Sequence, residues 1–267
     1  MNPKSLLDYY QVVPRKSLGQ NFVQDEHALD KIVAAAELSP SDTVFEIGPG
    51  TGALTEKLAQ AARRVIAVEL DRRMEPILKA GFSHRPNVEF VFEDILEANV
   101  PALVGDADYV VVANVPYYIT SAILRTLLES KHRPRRLVLT MQLEVAERLI
   151  AKPGDMSVLA VSAQFYAKVQ IAAHLKAAIF WPRPEVDSAV VRLDTYERPP
   201  VDVPDEQSFF RLVKAGFSQK RKQLKNSLGS EGAALLERAG IDPRRRAETL
   251  SLEEWAALAR AAQETAT

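Results

Sequence analysis

The sequence predicts an α/β protein: an open, mostly parallel sheet flanked by helices, followed by a small domain of helices alone. Three observations carry that reading. Residues 43–59 run strand, glycine turn, helix, the opening of a nucleotide-binding βαβ unit. Further short apolar runs follow, rich in Val and Ile, as strands buried on both faces of a parallel sheet read. Then Glu197-Arg-Pro-Pro-Val-Asp-Val-Pro204 is proline-rich and strand-poor, and the pattern beyond it is helical throughout. The expected division is therefore 1–199 and 200–267.

Composition bounds the rest. With 267 residues, 47% hydrophobic and 26% charged, the chain has apolar material for one large domain and an appendage. A net charge of −1 announces no nucleic-acid binder, so such a role must rest on local charge. There is no cysteine, which excludes disulfides, zinc-thiolate sites and thiol catalysis. The four histidines lack H-E-x-x-H or H-x-x-E-H spacing, so no metal is expected. No apolar run has the length of a signal core or a membrane span. A cytoplasmic protein without membrane contact, acting as a monomer, is the expectation.

In chain order, Lys4 to Leu18 reads as a polar, basic arm. Gly19-Gln20-Asn21-Phe22-Val23 follows, with the character of a turn. Asp25 is placed to cap a helix whose apolar stripe is Leu29, Ile32, Val33 and Ala36. Thr43 to Ile47 is the first parallel strand. The turn after it has two formal readings. Gly48-Pro-Gly-Thr-Gly-Ala53 satisfies the G-x-G-x-x-G/A pattern of NAD-binding folds. Glu46-Ile-Gly-Pro-Gly-Thr-Gly52 satisfies E-x-G-x-G-x-G, the first motif of S-adenosylmethionine-dependent methyltransferases. Glu46 favours the second, because an acid there suits a cationic, amine-bearing cofactor and repels a pyrophosphate. A purely structural tight turn is the third possibility.

Glu69 ends the next strand, 21 positions after Gly48, where an acid accepts the ribose hydroxyls of a nucleoside cofactor. Asp94, after the strand Asn87 to Phe92, can receive an adenine amine or cap a helix. The fourth strand, Asp108 to Ala113, runs into Asn114-Val-Pro-Tyr-Tyr-Ile119. Asn-x-Pro-Tyr at a strand's carboxyl end suits methylation of an aromatic amine. Such an amine is a poor nucleophile because its lone pair is delocalised into the ring. Hydrogen bonds to the Asn114 side-chain oxygen and the Val115 carbonyl would draw its nitrogen toward a tetrahedral shape. Pro116 restricts Val115, and Tyr117 offers a face for stacking.

Arg135 to Gln142 reads as the fifth strand. Basic residues gather near it (Arg125, Lys131, Arg133, Arg135, Arg136), which suits a solvated face or a contact with phosphates. Ala167 to Lys176 alternates as a strand does. Phe180-Trp-Pro-Arg-Pro-Glu-Val-Asp-Ser188 reads as a stiff loop before a last strand, Ala189 to Leu193, and Phe180 suits either a base pocket or the core. In the helical remainder, Arg211, Lys214, Lys220, Arg221, Lys222 and Lys225 come without an acid among them, and Arg244-Arg-Arg246 forms a second basic group. Such blocks are footprints for a phosphate backbone.

These motifs, in this order over nearly the whole chain, resemble the ribosomal-RNA adenine dimethyltransferases of the KsgA/RsmA type. The resemblance rests on Lys16–Phe22, Glu46–Gly52, Glu69–Asp71, Glu93–Ile95, Asn114–Ile119, Gln142–Leu149, Phe180–Ser188, Lys220–Leu228 and Arg244–Ser251. It implies a Rossmann-like class I methyltransferase sheet with a small C-terminal α-helical domain, and S-adenosyl-L-methionine as methyl donor. The implied substrate is a pair of adjacent adenosines in the 3′-terminal hairpin of 16S rRNA, each methylated twice on N6, four methyl groups in all, late in small-subunit assembly. The small ribosomal subunit would be the partner. Carried onto this chain, Asn21, Val23, Gly48, Glu69, Asp94 and Asn114 would bind the cofactor. Asn114, Tyr117 and Phe180 would serve catalysis, and Lys220, Arg221, Lys222 and Lys225 the RNA. Two alternatives stand beside it. One is the Erm type, which methylates an adenosine of 23S rRNA and confers macrolide resistance. The other is an assembly factor acting mainly by binding the immature small subunit.

Overall fold

The computed structural model describes residues 2–116, 119–219 and 221–264. The chain forms two compact units, residues 1–146 with 170–195, and residues 147–169 with 196–267.

The first unit begins with α1 (Pro3–Tyr9), β1 (Phe22–Val23) and α2 (Glu26–Ala36). Strands and helices then alternate: β2 (Thr43–Ile47), α3 (Ala53–Ala61), β3 (Arg64–Val68), α4 (Glu75–Gly81), β4 (Val88–Val91), α5 (Val100–Val104), β5 (Tyr109–Asn114), α6 (Thr120–Leu128) and β6 (Arg136–Gln142). The chain passes through α7 (Leu143–Leu149) and α8 (Val158–Tyr166), then returns along β7 (Ala167–Leu175), β8 (Phe180–Trp181) and β9 (Ser188–Thr195). Among the described residues the main sheet has seven strands in the order β4-β3-β2-β5-β6-β9-β7. β2 to β6 pair in parallel, and β9 runs antiparallel to β6.

The sequence explains this layering. All of Thr43–Ile47 is buried, as a strand covered on both faces must be. Val44, Val110, Val112 and Val138 turn one face toward Leu29 and Ile32 of α2 and Leu54 and Leu58 of α3. Asp25 caps α2, its carboxylate accepting from the Ala28 N–H at 2.8 Å, as expected. Adjacent parallel strands reverse direction of growth between β2 and β5, so the carboxyl ends of β2, β3 and β5 open onto the crevice where such sheets bind ligands.

Two segments depart from expectation. The arm before Leu18 contains a helix, because Leu6, Leu7 and Tyr10 are spaced for one face. Leu7 is fully buried against Phe22, Met74, Ile77 and Leu78. The supposed loop from Phe180 contains β8, which pairs antiparallel with β1 so that Val23 lies opposite Phe180.

The second unit adds α9 (Glu206–Gly216), α10 (Leu224–Ser227), α11 (Gly232–Arg238) and α12 (Leu252–Gln263) to α8. It therefore takes in residues 147–169, which the proline-rich connection alone does not announce. Aromatic rings hold it: Phe165 stacks on Phe209 with centroids 4.9 Å apart, and Tyr166 on Phe210 at 5.7 Å. Trp255 of α12 is fully buried, and a Cβ on Gly216 would come within 2.4 Å of its ring. Ser251 and Glu254 form a capping box at the start of α12. No helix among the described residues is long and apolar enough to cross a membrane.

Candidate active site

The carboxyl ends of β2, β3 and β5 and residues 18–22 surround a cleft of about 690 Å³, part of it open to solvent. Gly48, Glu69, Asp94, Asn114 and Asn21 all line it. Sequence positions spread over nearly a hundred residues thus meet in one place. Leu18, Ile95, Pro116 and Ile119 give it apolar walls.

The glycine turn lets backbone approach the cleft. Gly48 and Gly50 have φ of +70° and +56°, a region that L side chains rarely adopt. A Cβ at Gly50 would also strike the Phe22 ring, at 2.7 Å. The Gly50 N–H donates to Glu69 Oε2 at 3.0 Å, and the Asp71 N–H donates to Glu69 Oε1 at 2.7 Å. Burial raises the Glu69 carboxyl above its ordinary 4.5, while those N–H groups pull it back down. The result is a buried acid with a fixed orientation at the end of β3.

Asn114 ends β5. Its Nδ2 donates to the Asn21 backbone carbonyl at 2.8 Å. No described residue donates to its Oδ1. Asn21 is itself held, its own Nδ2 donating to the Gly19 carbonyl at 3.2 Å. Asp94 spends Oδ1 on the Leu96 N–H at 2.9 Å. Val23 lines a smaller neighbouring hollow that shares Phe22, Gly48 and Asn114 with the cleft.

Several expected residues fall elsewhere. Phe180 is 2% exposed and packs in the core with Val23 and Leu29 rather than lining the cleft. Its pairing with β1 explains this, since the strand ladder turns its ring inward. Glu46 does not line the cleft either. It is 1% exposed, lies one residue below the turn, and among the described residues neither carboxylate oxygen has a hydrogen-bond partner. Burial pushes its carboxyl up to about 8, against the pull of the adjacent Thr55 hydroxyl, and the Glu69 charge adds to the rise. Tyr117 and Lys220 lie outside the described residues.

The two basic groups of the second unit differ. Arg221 and Lys222 are exposed and Lys225 half-buried, and among the described residues none of them forms an ion pair. Arg244, Arg245 and Arg246 pair with Asp242, Glu254 and Glu248. Near β6, Arg135 and Arg136 are likewise spent on Asp42 and Asp194.

Sequence reasoning passed over Gln20 and Asp71. The Gln20 amide accepts from the Arg15 N–H and donates to Asp71 Oδ2, both at 2.8 Å. Partners 51 residues apart leave no trace in spacing.

Residues 13–264 match the family model described as ribosomal RNA adenine dimethylase. The chain belongs to that family. Ribosomal RNA small subunit methyltransferase A of Moorella thermoacetica is 46% identical, with 94% of this chain and 93% of the relative covered. The protein of the same name from Dehalococcoides mccartyi strain CBDB1 is 44% identical over 94% and 89%. A crystal structure of a dimethyladenosine transferase from Plasmodium falciparum superposes with a TM-score of 0.81 at 26% identity, over 92% of this chain and 98% of that one. The 23S rRNA methyltransferase ErmE gives 0.73 at 30% identity, over 90% and 99%. The adenine dimethylase fold is thus a Rossmann-like methyltransferase sheet with a helical C-terminal region, as the sequence predicts.

Proposed function

We propose that this protein methylates adenosine N6 in small-subunit ribosomal RNA, adding two methyl groups to each of two adjacent adenosines with S-adenosylmethionine as donor. The observation that carries the reading is Asn114. Its amide nitrogen is held by the Asn21 carbonyl, which leaves Oδ1 as the acceptor for a target amine in the cleft that also contains Glu69 and Asp94. The relatives named small subunit methyltransferase A, at 44% and 46% identity, support the choice of RNA.

The residues fit a nucleoside sulfonium. Glu69 keeps lone pairs for ribose hydroxyls after accepting two backbone N–H groups. The Cβ-free Gly48 leaves room against the backbone, and Asp94 retains Oδ2 for an adenine amine. The cofactor, when bound, supplies an electrophilic methyl group. The chain does the rest. Asn114 Oδ1 and the Val115 carbonyl accept from the target amine and localise its lone pair. Pro116 fixes that carbonyl. The cationic nitrogen formed on transfer sheds its proton to solvent, so no strong base is required. The target base must leave its stack, at a few kcal/mol, which a hairpin loop makes cheaper than a duplex. Arg221 and Lys222, exposed and without an ion pair among the described residues, are with Lys225 the proposed phosphate contacts.

Labelled methyl transfer to unmethylated small subunits, with unmethylated large-subunit RNA in parallel, tests the reading. Dimethyladenosine in the small subunit alone is expected. Label in the large-subunit RNA alone would move the protein to the resistance type that the ErmE likeness represents. Asn114→Ala is expected to reduce transfer at least a hundredfold while leaving subunit binding intact. Loss of both together would mean that Asn114 is structural.

A further inference from the structure

The cofactor acid and the candidate catalytic amide are linked through hydrogen bonds and the short stretches of chain between them. Glu69 Oε1 accepts from the Asp71 N–H at 2.7 Å. The Asp71 carboxylate, only 5% exposed, accepts from Gln20 Nε2 at 2.8 Å. The other end of the Gln20 amide accepts from the Arg15 N–H at 2.8 Å. The next residue is Asn21, whose carbonyl receives Asn114 Nδ2 at 2.8 Å. Arg73 closes the frame. It donates to both Asp71 oxygens, at 2.8 Å and 2.5 Å, and to the Val13 carbonyl at 3.0 Å.

We propose that Gln20 and Asp71 are positioning residues of the methyl-transfer reaction: they clamp residues 15–21 so that the Asn21 carbonyl holds the Asn114 amide with its oxygen toward the target amine. This rests on the function proposed above. The chemistry of the position is narrow. Gln20 faces a backbone donor on one side and a carboxylate acceptor on the other, and a primary amide satisfies both. A carboxylate would satisfy Arg15 but meet Asp71 as a like charge. A lysine or arginine would satisfy Asp71 and leave the Arg15 N–H without its acceptor. Asp71 needs its charge because it receives Arg73 as well as Gln20: desolvation would raise its carboxyl, and the Arg73 and Gln20 hydrogen bonds outweigh it and hold it below the ordinary range. Without the clamp, the Asn21 carbonyl no longer fixes which end of the Asn114 amide faces the cleft. A flipped amide would present a donor to a donor. Misplacement of about 1 Å at a reacting group costs about a hundredfold in rate.

The test compares replacements at residue 20. Gln20→Met removes both the acceptor for Arg15 and the donor to Asp71 at nearly the same length and volume. It should lower kcat about ten- to a hundredfold with little change in KM for the RNA, accelerate amide exchange in residues 15–21 of the protein without cofactor, and leave Tm nearly unchanged. Wild-type kcat in Gln20→Met would overturn the proposal, and so would a lowered kcat with exchange in residues 15–21 unchanged. If Tm of Gln20→Met falls sharply, Gln20→Glu, which keeps the acceptor for Arg15 and removes the donor to Asp71, takes its place with the same expected losses and the same overturning outcomes. Exchange is read without any reaction. Absence of methyl transfer by the wild-type protein would therefore defeat the functional reading, while the exchange data would still report on the clamp.

Discussion

Two buried glutamates stand on and just beyond neighbouring strands, and they could hardly be less alike. Glu46 belongs to β2 and Glu69 follows β3, the strand beside it, and both are nearly inaccessible, at 1% and 6% exposure. Both are pushed upward by burial. Glu69 receives two backbone N–H groups and lines the cleft. Glu46 receives none among the described residues and is shut beneath it. Burial alone therefore does not make an acid a ligand-binding group. Glu69 has two things that Glu46 lacks for the proposed ligand role: donors that hold its charge and a place in the wall of the cleft.

The largest effect that separates the two is on cofactor binding. Hydrogen bonds to a charged group are worth about 1.5–3 kcal/mol each, and Glu69 is proposed to offer two. Glu69→Ala should weaken S-adenosylmethionine binding by about a hundredfold or more in calorimetry, with Glu69→Gln intermediate. Glu46→Gln should change it little. Equal losses at the two positions would erase the distinction. The pH dependence has a definite sign. The Glu69 carboxyl is raised above 4.5, and the carboxylate is the form that accepts two hydroxyls. Binding should therefore weaken as pH falls through a value above the ordinary carboxylate range, and Glu69→Gln should remove that dependence.

Much of this was legible in the sequence because it is local. A strand, a turn with glycine at alternate positions and an acid 21 residues on place Gly48 and Glu69 on one crevice without any knowledge of packing. Asn114 and Asp94 follow from the rule that ligands meet strands at their carboxyl ends. What escaped is what depends on partners. Glu46 sits in the same motif as Gly48, and only the sheet shows that alternation turns it to the face packed by α2 and α3. Phe180 carries the same letters whether it lines a pocket or pairs with Val23, and the register of a two-residue ladder decides. Gln20 reads as part of a turn until Asp71 is known to lie against it. The basic triplet at 244–246 reads like the run at 221–225 until its acids are in view.

Next in size is an effect on stability, confined to Glu46. Its carboxyl titrates near 4.5 when exposed and at about 8 in the fold. Between those values the folded state binds the extra proton, so stability falls as pH rises from about 4.5 to about 8 and levels off above. Glu46→Gln removes the titration. The variant should match wild type near pH 5 and exceed it by up to a few kcal/mol at pH 9, read from denaturant midpoints at each pH. Parallel pH profiles for the two proteins would show that Glu46 carries no such load.

The smallest effect concerns what shares the space with Glu46. Thr55 is fully buried, and its hydroxyl lies near enough to the Glu46 carboxyl to lower it without the geometry of a hydrogen bond; Thr140, on β6, is fully buried as well. Thr55 is the group that restrains the rise of the Glu46 carboxyl. Thr55→Val takes that restraint away with nearly the same volume. The fall in stability with pH should then continue to a higher pH than in wild type, while stability near pH 5 changes by about 1 kcal/mol or less. Thr140→Val, a hydroxyl that does not act on Glu46's titration, should leave the profile in place. If the Thr55 variant titrates as wild type does, the carboxyl is governed by desolvation alone, and the contrast with Glu69 reduces to the two N–H groups that Glu69 has and Glu46 lacks.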